Sequence, residues 1–166
     1  YFRLAIDRSF SLKGTGRVVT GSVFSGQLQV GQTLRHLPTG RIVKARDLHT
    51  QGEASETGKV GQRCAINLSS GDLGKIDIHR GDWVVSDFLD QVSRKVHALV
   101  SPVAGQKITH RMPVHVHQGA TDVTGRIFFC DDSLQDTPGQ RPALIIMDKG
   151  IHAVRGDRFV LRDQSA

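Results

Sequence analysis

Ile6-Asp7-Arg8-Ser9-Phe10-Ser11-Leu12-Lys13-Gly14-Thr15-Gly16-Arg17-Val18-Val19-Thr20-Gly21 runs out along one apolar stretch, turns at its paired glycines, and returns through a β-branched run. It continues into Ser25-Gly26-Gln27-Leu28-Gln29-Val30-Gly31-Gln32, where two more glycines bracket a short apolar segment. Glycine takes positive φ without a steric penalty, which suits such turns. The same punctuation recurs outward from this stretch. The chain has 18 glycines in 166 residues, a higher share than the roughly 7 % typical of proteins. They separate short runs such as Ile42-Val43-Lys44-Ala45, Ala65-Ile66-Asn67-Leu68, Val114-His115-Val116-His117 and Ala143-Leu144-Ile145-Ile146. Short strands at regular spacing predict an all-β sandwich or barrel, and no amphipathic helix longer than two turns is expected.

The boundary between two segments is expected at Asp87 to Ser93. Before it, Arg80-Gly81-Asp82-Trp83 reads as a turn entering a last strand, and a new alternating run begins at Arg94. Residues 1–88 and 93–166 then form two small domains. Units this small bury limited surface and are expected to pack on each other or on a further neighbour. Gln51 to Gly61 and Asp131 to Gly139 read as exposed loops. Because Tyr1 stands where a strand is already under way, the chain is expected to be a piece of a longer protein.

No apolar run approaches the roughly 18–20 residues that span a bilayer, and no signal peptide precedes the first strand. Cys64 and Cys130 sit in apolar runs and read as small buried hydrophobes. A reducing, cytoplasmic setting with no membrane partner is expected. The net charge is +6, and it is spread evenly. There are 12 basic and 9 acidic residues up to position 90, and 10 and 7 after it. Mild positive charge over a globular body suits a polyanionic partner.

The opening stretch resembles the start of domain 2 in translational GTPases of the elongation factor Tu type. Ala120-Thr121-Asp122-Val123-Thr124-Gly125 resembles a central strand pair of their domain 3, and Gly156-Asp157-Arg158-Phe159-Val160-Leu161-Arg162-Asp163 is similar to that domain's closing strand. The resemblance implies two consecutive small antiparallel β-barrels. The first would bind the aminoacylated CCA end of a tRNA and the second its stem. The chain holds no Gly-x-x-x-x-Gly-Lys-(Ser/Thr) and no Asn-Lys-x-Asp, so the phosphate cradle of that family is missing. This segment is therefore expected to carry no cofactor and no catalytic residue. GTP and Mg would belong to an N-terminal GTPase domain outside it.

Within that family the chain resembles the selenocysteine-specific elongation factors. Asp7-Arg8 stands where elongation factor Tu has Glu-Asp, and Arg63 where it has Asn. In the family both places line the pocket for the esterified amino acid and the terminal adenosine. A selenol is more acidic than a thiol, which titrates near pH ~8.5, so selenocysteine is largely anionic at neutral pH while serine is neutral. A partly desolvated guanidinium is stabilised by the anion and is left unpaired by the neutral guest. Asp7 would either orient Arg8 or accept from the α-amino group. The resemblance implies selenocysteinyl-tRNA and the ribosome as partners, with C-terminal domains of the same protein reading an mRNA hairpin. Lys13, Arg17, Lys107, Arg111, Arg126 and Arg141 are candidate tRNA contacts. Double-stranded RNA is read largely through phosphates and 2′-hydroxyls. Five of the eight histidines lie in the second segment, so its RNA affinity is expected to rise at lower pH.

Other features point to bland roles or to alternatives. His115 and His117 share one face of a strand, but a metal site needs a third ligand that the spacing does not identify; no metal site is expected. Gly14-Thr15-Gly16, with no helix after it, is not a phosphate loop. Trp83 and Phe10 are expected in barrel cores, and Asp131, Asp132 and Asp122 form no evident acid/base pair. The competing functions are a small β-barrel metal or flavin enzyme built on the His115/His117 face, and the barrels of another translational GTPase with a different tRNA cargo.

Overall fold

A computed structural model describes residues 1–12, 16–70, 77–103, 107–129 and 139–164. Lys13, the Gly14-Thr15 part of the first turn, Cys130, Asp131 and Asp132 lie outside the described residues. Among those described there is no helix, and every regular pairing resolved is antiparallel. The chain divides into two compact units, Tyr1–Gln91 with Gly119–Thr121, and Val92–Gln118 with Asp122–Ala166.

The first unit holds β1 (Arg3–Leu12), β2 (Gly16–Ser25), β3 (Gln27–Gln29), β4 (Thr33–Leu37), β5 (Ile42–Thr50), β6 (Glu53–Ala54), β7 (Thr57–Lys59), β8 (Arg63–Ser69) and β9 (Trp83–Ser86). Its sheet runs β4-β9-β1-β2-β8-β5-β6, and an additional β4–β5 pairing closes six of these strands into a barrel. Closure removes the open edges that would otherwise template aggregation. Leu4, Ile6, Val19, Leu34, Ile66 and Val84 fill its interior, all fully buried. Each such side chain contributes about 1.5–3 kcal/mol relative to exposure. The stretch Gln51 to Gly61 is not a simple loop. β6 extends β5, and β7 pairs with β3 in a two-stranded ribbon, with Gly58 buried against the core.

Two bulges set which side chains face inward. In β1 the register runs Ile6 opposite Gly21 and then Arg8 opposite Thr20, leaving Asp7 as the extra residue. In β5 the pairing skips Arg46 between Ala45 and Asp47, so Leu48 returns to the core although it is three positions from Ala45. An extra residue shifts the alternation by one and bends the strand. The bulge in β1 explains why Phe10 is not core. Leu4 and Ile6 point inward, and strict alternation would send Phe10 the same way. Past Asp7 the phase is reversed, Phe10 lies opposite Val18, and its ring is 40 % exposed. Trp83 is buried as expected, beside Ala5, Leu37 and Val85. Phe24 meets its ring edge-on with centroids 5.0 Å apart, and the Arg3 guanidinium stands 4.9 Å from its centroid. Cys64 is a free, buried thiol.

The second unit holds β10 (Ser93–Val100), β11 (Pro113–Gln118), β12 (Thr121–Phe129), β13 (Arg141–Ile151) and β14 (Val160–Asp163). They form an antiparallel sheet in the order β10-β13-β12-β11-β14. Alternating residues turn Val114, Val116, Ile127, Ile145 and Met147 to a second core. The architecture is thus all-β, two consecutive small antiparallel barrels.

Gly21 is where β2 passes closest to β1. A Cβ there would stand 2.0 Å from the Ala5 carbonyl oxygen, so backbone must move to admit one. Gly21→Ala is expected to lower unfolding free energy by about 2–3 kcal/mol, typical of overpacking. The exposed control Val60→Ala should stay within roughly 0.5 kcal/mol. Urea titration of the two variants against the parent measures both.

Candidate functional site

Asp7, the extra residue of the β1 bulge, meets side chains from β2 and from β8 one strand further on. Thr20 on β2 and Arg63 at the start of β8 lie on one face of the sheet, since Thr20 pairs with Ala65 and Ser22 with Arg63. Such diagonal neighbours are within reach of long side chains. Arg63 donates from Nε to Asp7 Oδ2 at 3.0 Å and from Nη2 to Asp7 Oδ1 at 2.8 Å, a bidentate pair. The Thr20 hydroxyl donates to the same Oδ1 at 2.6 Å and accepts from Arg63 Nη2 at 3.0 Å. Fork geometry of this kind fixes a guanidinium far better than a single contact.

The electrostatics follow. Burial pushes the Asp7 carboxyl up, but hydrogen bonds from Arg63 and Thr20, with the charges of Arg63 and Arg8, outweigh it and hold the group below the usual carboxylate range. The hydrogen bond to Asp7 raises Arg63 in turn. Arg8, next along the bulge, is exposed and makes no side-chain hydrogen bond among the described residues. So Asp7 orients Arg63, not Arg8. Of the two arginines, Arg8 keeps its donors open, and the three side chains together carry one net positive charge.

The sequence reading missed Thr20 and a neighbouring cleft of about 420 Å³ on the same strands, lined by Phe10, Val18, Leu48, His49, Ala65 and Asn67 among others. Asn67 Nδ2 donates to the Asp47 carboxylate at 2.8 Å. Since an ionised carboxylate only accepts, this contact sets the amide's orientation. Asn67 Oδ1 is then buried with no partner among the described residues. It is an acceptor in a cleft that Asp47, His49 and Glu56 line together with the apolar side chains.

The remaining candidates divide by surroundings. Arg17 is half-buried and donates to Ser9 Oγ at 3.5 Å. In the second unit Lys107, Arg111 and Arg126 are exposed. Arg126 Nη1 donates to the Arg111 carbonyl at 3.3 Å, bringing two of them together. Arg141 is half-buried, its guanidinium 3.7 Å from the centroid of the Phe129 ring. Its stem and charge are engaged in packing. His115 and His117 do share a face of β11, and Asp122 of β12 joins them.

With this geometry in hand, comparison with known proteins defines the class first. Residues 16–85 match the family model "Elongation factor Tu domain 2", so the first barrel is a translation-factor domain. Residues 95–166 match "Selenocysteine-specific elongation factor, beta-barrel domain". The chain is 38 % identical over 165 residues to the selenocysteine-specific elongation factor of Escherichia coli (strain K12), covering 99 % of this chain and 25 % of that protein. It is 35 % identical over 165 residues to that of Haemophilus influenzae, covering 97 % of this chain and 25 % of the relative. A solved structure of translation elongation factor SelB from Methanococcus maripaludis, in complex with the GTP analogue GppNHp, superposes with a TM-score of 0.81 at 23 % identity, covering 100 % of this chain and 40 % of that one; at that identity it shows the shared fold. The chain belongs to the selenocysteine-specific elongation factor family. It spans about a quarter of the length of the curated relatives it matches.

Because the Asp7 pKa is depressed in the folded state, its contribution to stability is present above the unfolded value, about 3.9, and is lost as pH falls through the folded value. Asp7→Asn is therefore expected to flatten the loss of stability between about pH 5 and pH 3. Arg63→Ala should let the Asp7 carboxyl titrate at higher pH. Urea midpoints across that range and carboxyl NMR titration check the two outcomes.

Proposed function

We propose that this chain supplies the tRNA-contacting barrels of a selenocysteine-specific elongation factor, and that the first barrel reads the charge of the esterified amino acid. The observation that carries the reading is the bidentate Asp7–Arg63 pair, which leaves Arg8 as the cation with open donors on the face of the sheet that holds the cleft. A selenolate is a partner for Arg8. A serine hydroxyl is neutral and leaves the guanidinium without a counter-charge; because Arg8 is exposed, the difference is that of a solvent-screened ion pair, about 0.2–1 kcal/mol. Arg63 acts as the orienting residue, and it keeps Asp7 from neutralising Arg8.

The adjoining cleft suits the terminal adenosine of the CCA end. Phe10 and Val18 offer apolar surface to a base, and Asn67 Oδ1 offers an acceptor to an amino or hydroxyl group. Lys107, Arg111 and Arg126 are the candidates for phosphates of the tRNA stem, a role that needs only exposed positive charge. In the whole protein, GTP binding and hydrolysis with Mg would fall to a nucleotide domain and mRNA-hairpin reading to further C-terminal domains. The complex would deliver its cargo to the ribosome in the cytoplasm. The relatives that match in name and family model, not a measured activity, support this wider assignment.

The test is binding of selenocysteinyl-tRNA and seryl-tRNA carried on the same tRNA body, at fixed salt because phosphate contacts are salt-sensitive. The parent chain is expected to prefer the selenocysteinyl form by up to about fivefold, and Arg8→Ala to abolish that preference. Arg63→Ala should also reduce it, because the freed Asp7 pairs with Arg8, and adding Asp7→Asn should restore part of it. Equal binding of the two tRNAs by the parent would refute charge reading by this barrel.

A further inference from the structure

We infer that His115, His117 and Asp122 form a binding site for a divalent transition-metal ion of the zinc type. The proposal is independent of the aminoacyl site. The three side chains come from adjacent strands. His115 and His117 alternate onto one face of β11, and Asp122 stands on its neighbour β12. One ligand atom from each lies within 4.8 Å of the others. His115 Nδ1 is 2.9 Å and His117 Nδ1 3.7 Å from Asp122 Oδ1. Ligands about 2.0–2.1 Å from a tetrahedral zinc stand roughly 3.3 Å from one another, so these two separations bracket what an ion requires. The imidazole rings are nearly parallel, at 13°, with centroids 6.0 Å apart.

The contacts within the cluster do not complete it. The His115–Asp122 hydrogen bond accounts for one imidazole, while His117 Nδ1, the nitrogen on the Asp122 side, stands 3.7 Å from that carboxylate, beyond hydrogen-bond distance.

The donor set selects the class of ion. Two imidazoles and one carboxylate suit zinc, cobalt or nickel and disfavour magnesium and calcium, which require oxygen ligands. Arg162, opposite His115 across the β11–β14 pairing, adds positive charge at the rim and opposes weakly bonded cations further. Three protein ligands leave a coordination position to water or to an anionic oxygen. The chain would then hold a metal on an open face with no cysteine involved.

Titration of the metal-free chain with cobalt chloride, followed by visible ligand-field absorption, tests the site. Saturation at one ion per chain is expected. Asp122→Asn and His117→Gln should each weaken binding by at least about tenfold, with circular dichroism unchanged, since Asp122 is exposed and each replacement keeps a polar group of similar size. His97→Ala, at an exposed histidine outside the cluster, should leave binding intact. Failure to bind cobalt at roughly 100 µM, or binding undiminished in both cluster variants, would overturn the proposal and leave a plain histidine–aspartate hydrogen bond.

Discussion

The extra residue at Asp7 is the constraint on which the first barrel's chemistry depends. Before it, Leu4 and Ile6 fill the core; after it, the alternation is reversed. One inserted residue thereby does two things. It turns Arg8 outward opposite Thr20, beside the Asp7 carboxylate, instead of into the core opposite Val19, and it turns Phe10 out of the core to form the wall of a cleft. Without the bulge, Phe10 would compete with core side chains, and Asp7 and Arg8 would point to opposite faces of a regular strand. The outward placement of Arg8 beside Asp7 and the Phe10 wall of the cleft are thus consequences of a single local irregularity, the role bulges often take beside binding sites.

The pairing also resolves a tension in placing two arginines in one pocket. Two free guanidinium groups at close range would repel and would bind any anion. Here Arg63 is neutralised by a carboxylate that is itself kept ionised, and Arg8 is left to act. The pair is partly exposed, so its value lies in orientation more than in stability.

Much of this was legible in the chain. Glycine-bounded β-branched runs announced an all-β fold, and the turn at Arg80-Gly81 precedes β9 as expected. Asp7, Arg8 and Arg63 were recognisable through family resemblance, although 56 positions separate the bonded pair. What could not be read was phase. Neither bulge leaves a mark in composition, so Phe10 reads as core, and Asp7 reads as orienting Arg8 or accepting from an α-amino group and not as the partner of Arg63. The segment Gln51 to Gly61 read as loop because β6 and β7 are only two and three residues long and polar. Thr20 did carry a signal, a hydroxyl out of phase with the buried Val19. In the second unit, spacing along β11 paired His115 with His117, but Asp122 joins them only through strand pairing, which spacing along one strand does not encode.

The most direct test of charge reading is the pH dependence of discrimination. Binding of selenocysteinyl-tRNA and seryl-tRNA should be measured on one tRNA body as pH is lowered through the selenol's own titration. Arginine stays protonated throughout, and histidine titration acts on the shared tRNA body in both complexes alike, so a change in the ratio of the two affinities reports the cargo's charge. The preference for the selenocysteinyl form is predicted to decline as the selenolate takes up its proton. A preference that stays constant across that range would contradict the account and would place the discrimination in shape instead of charge.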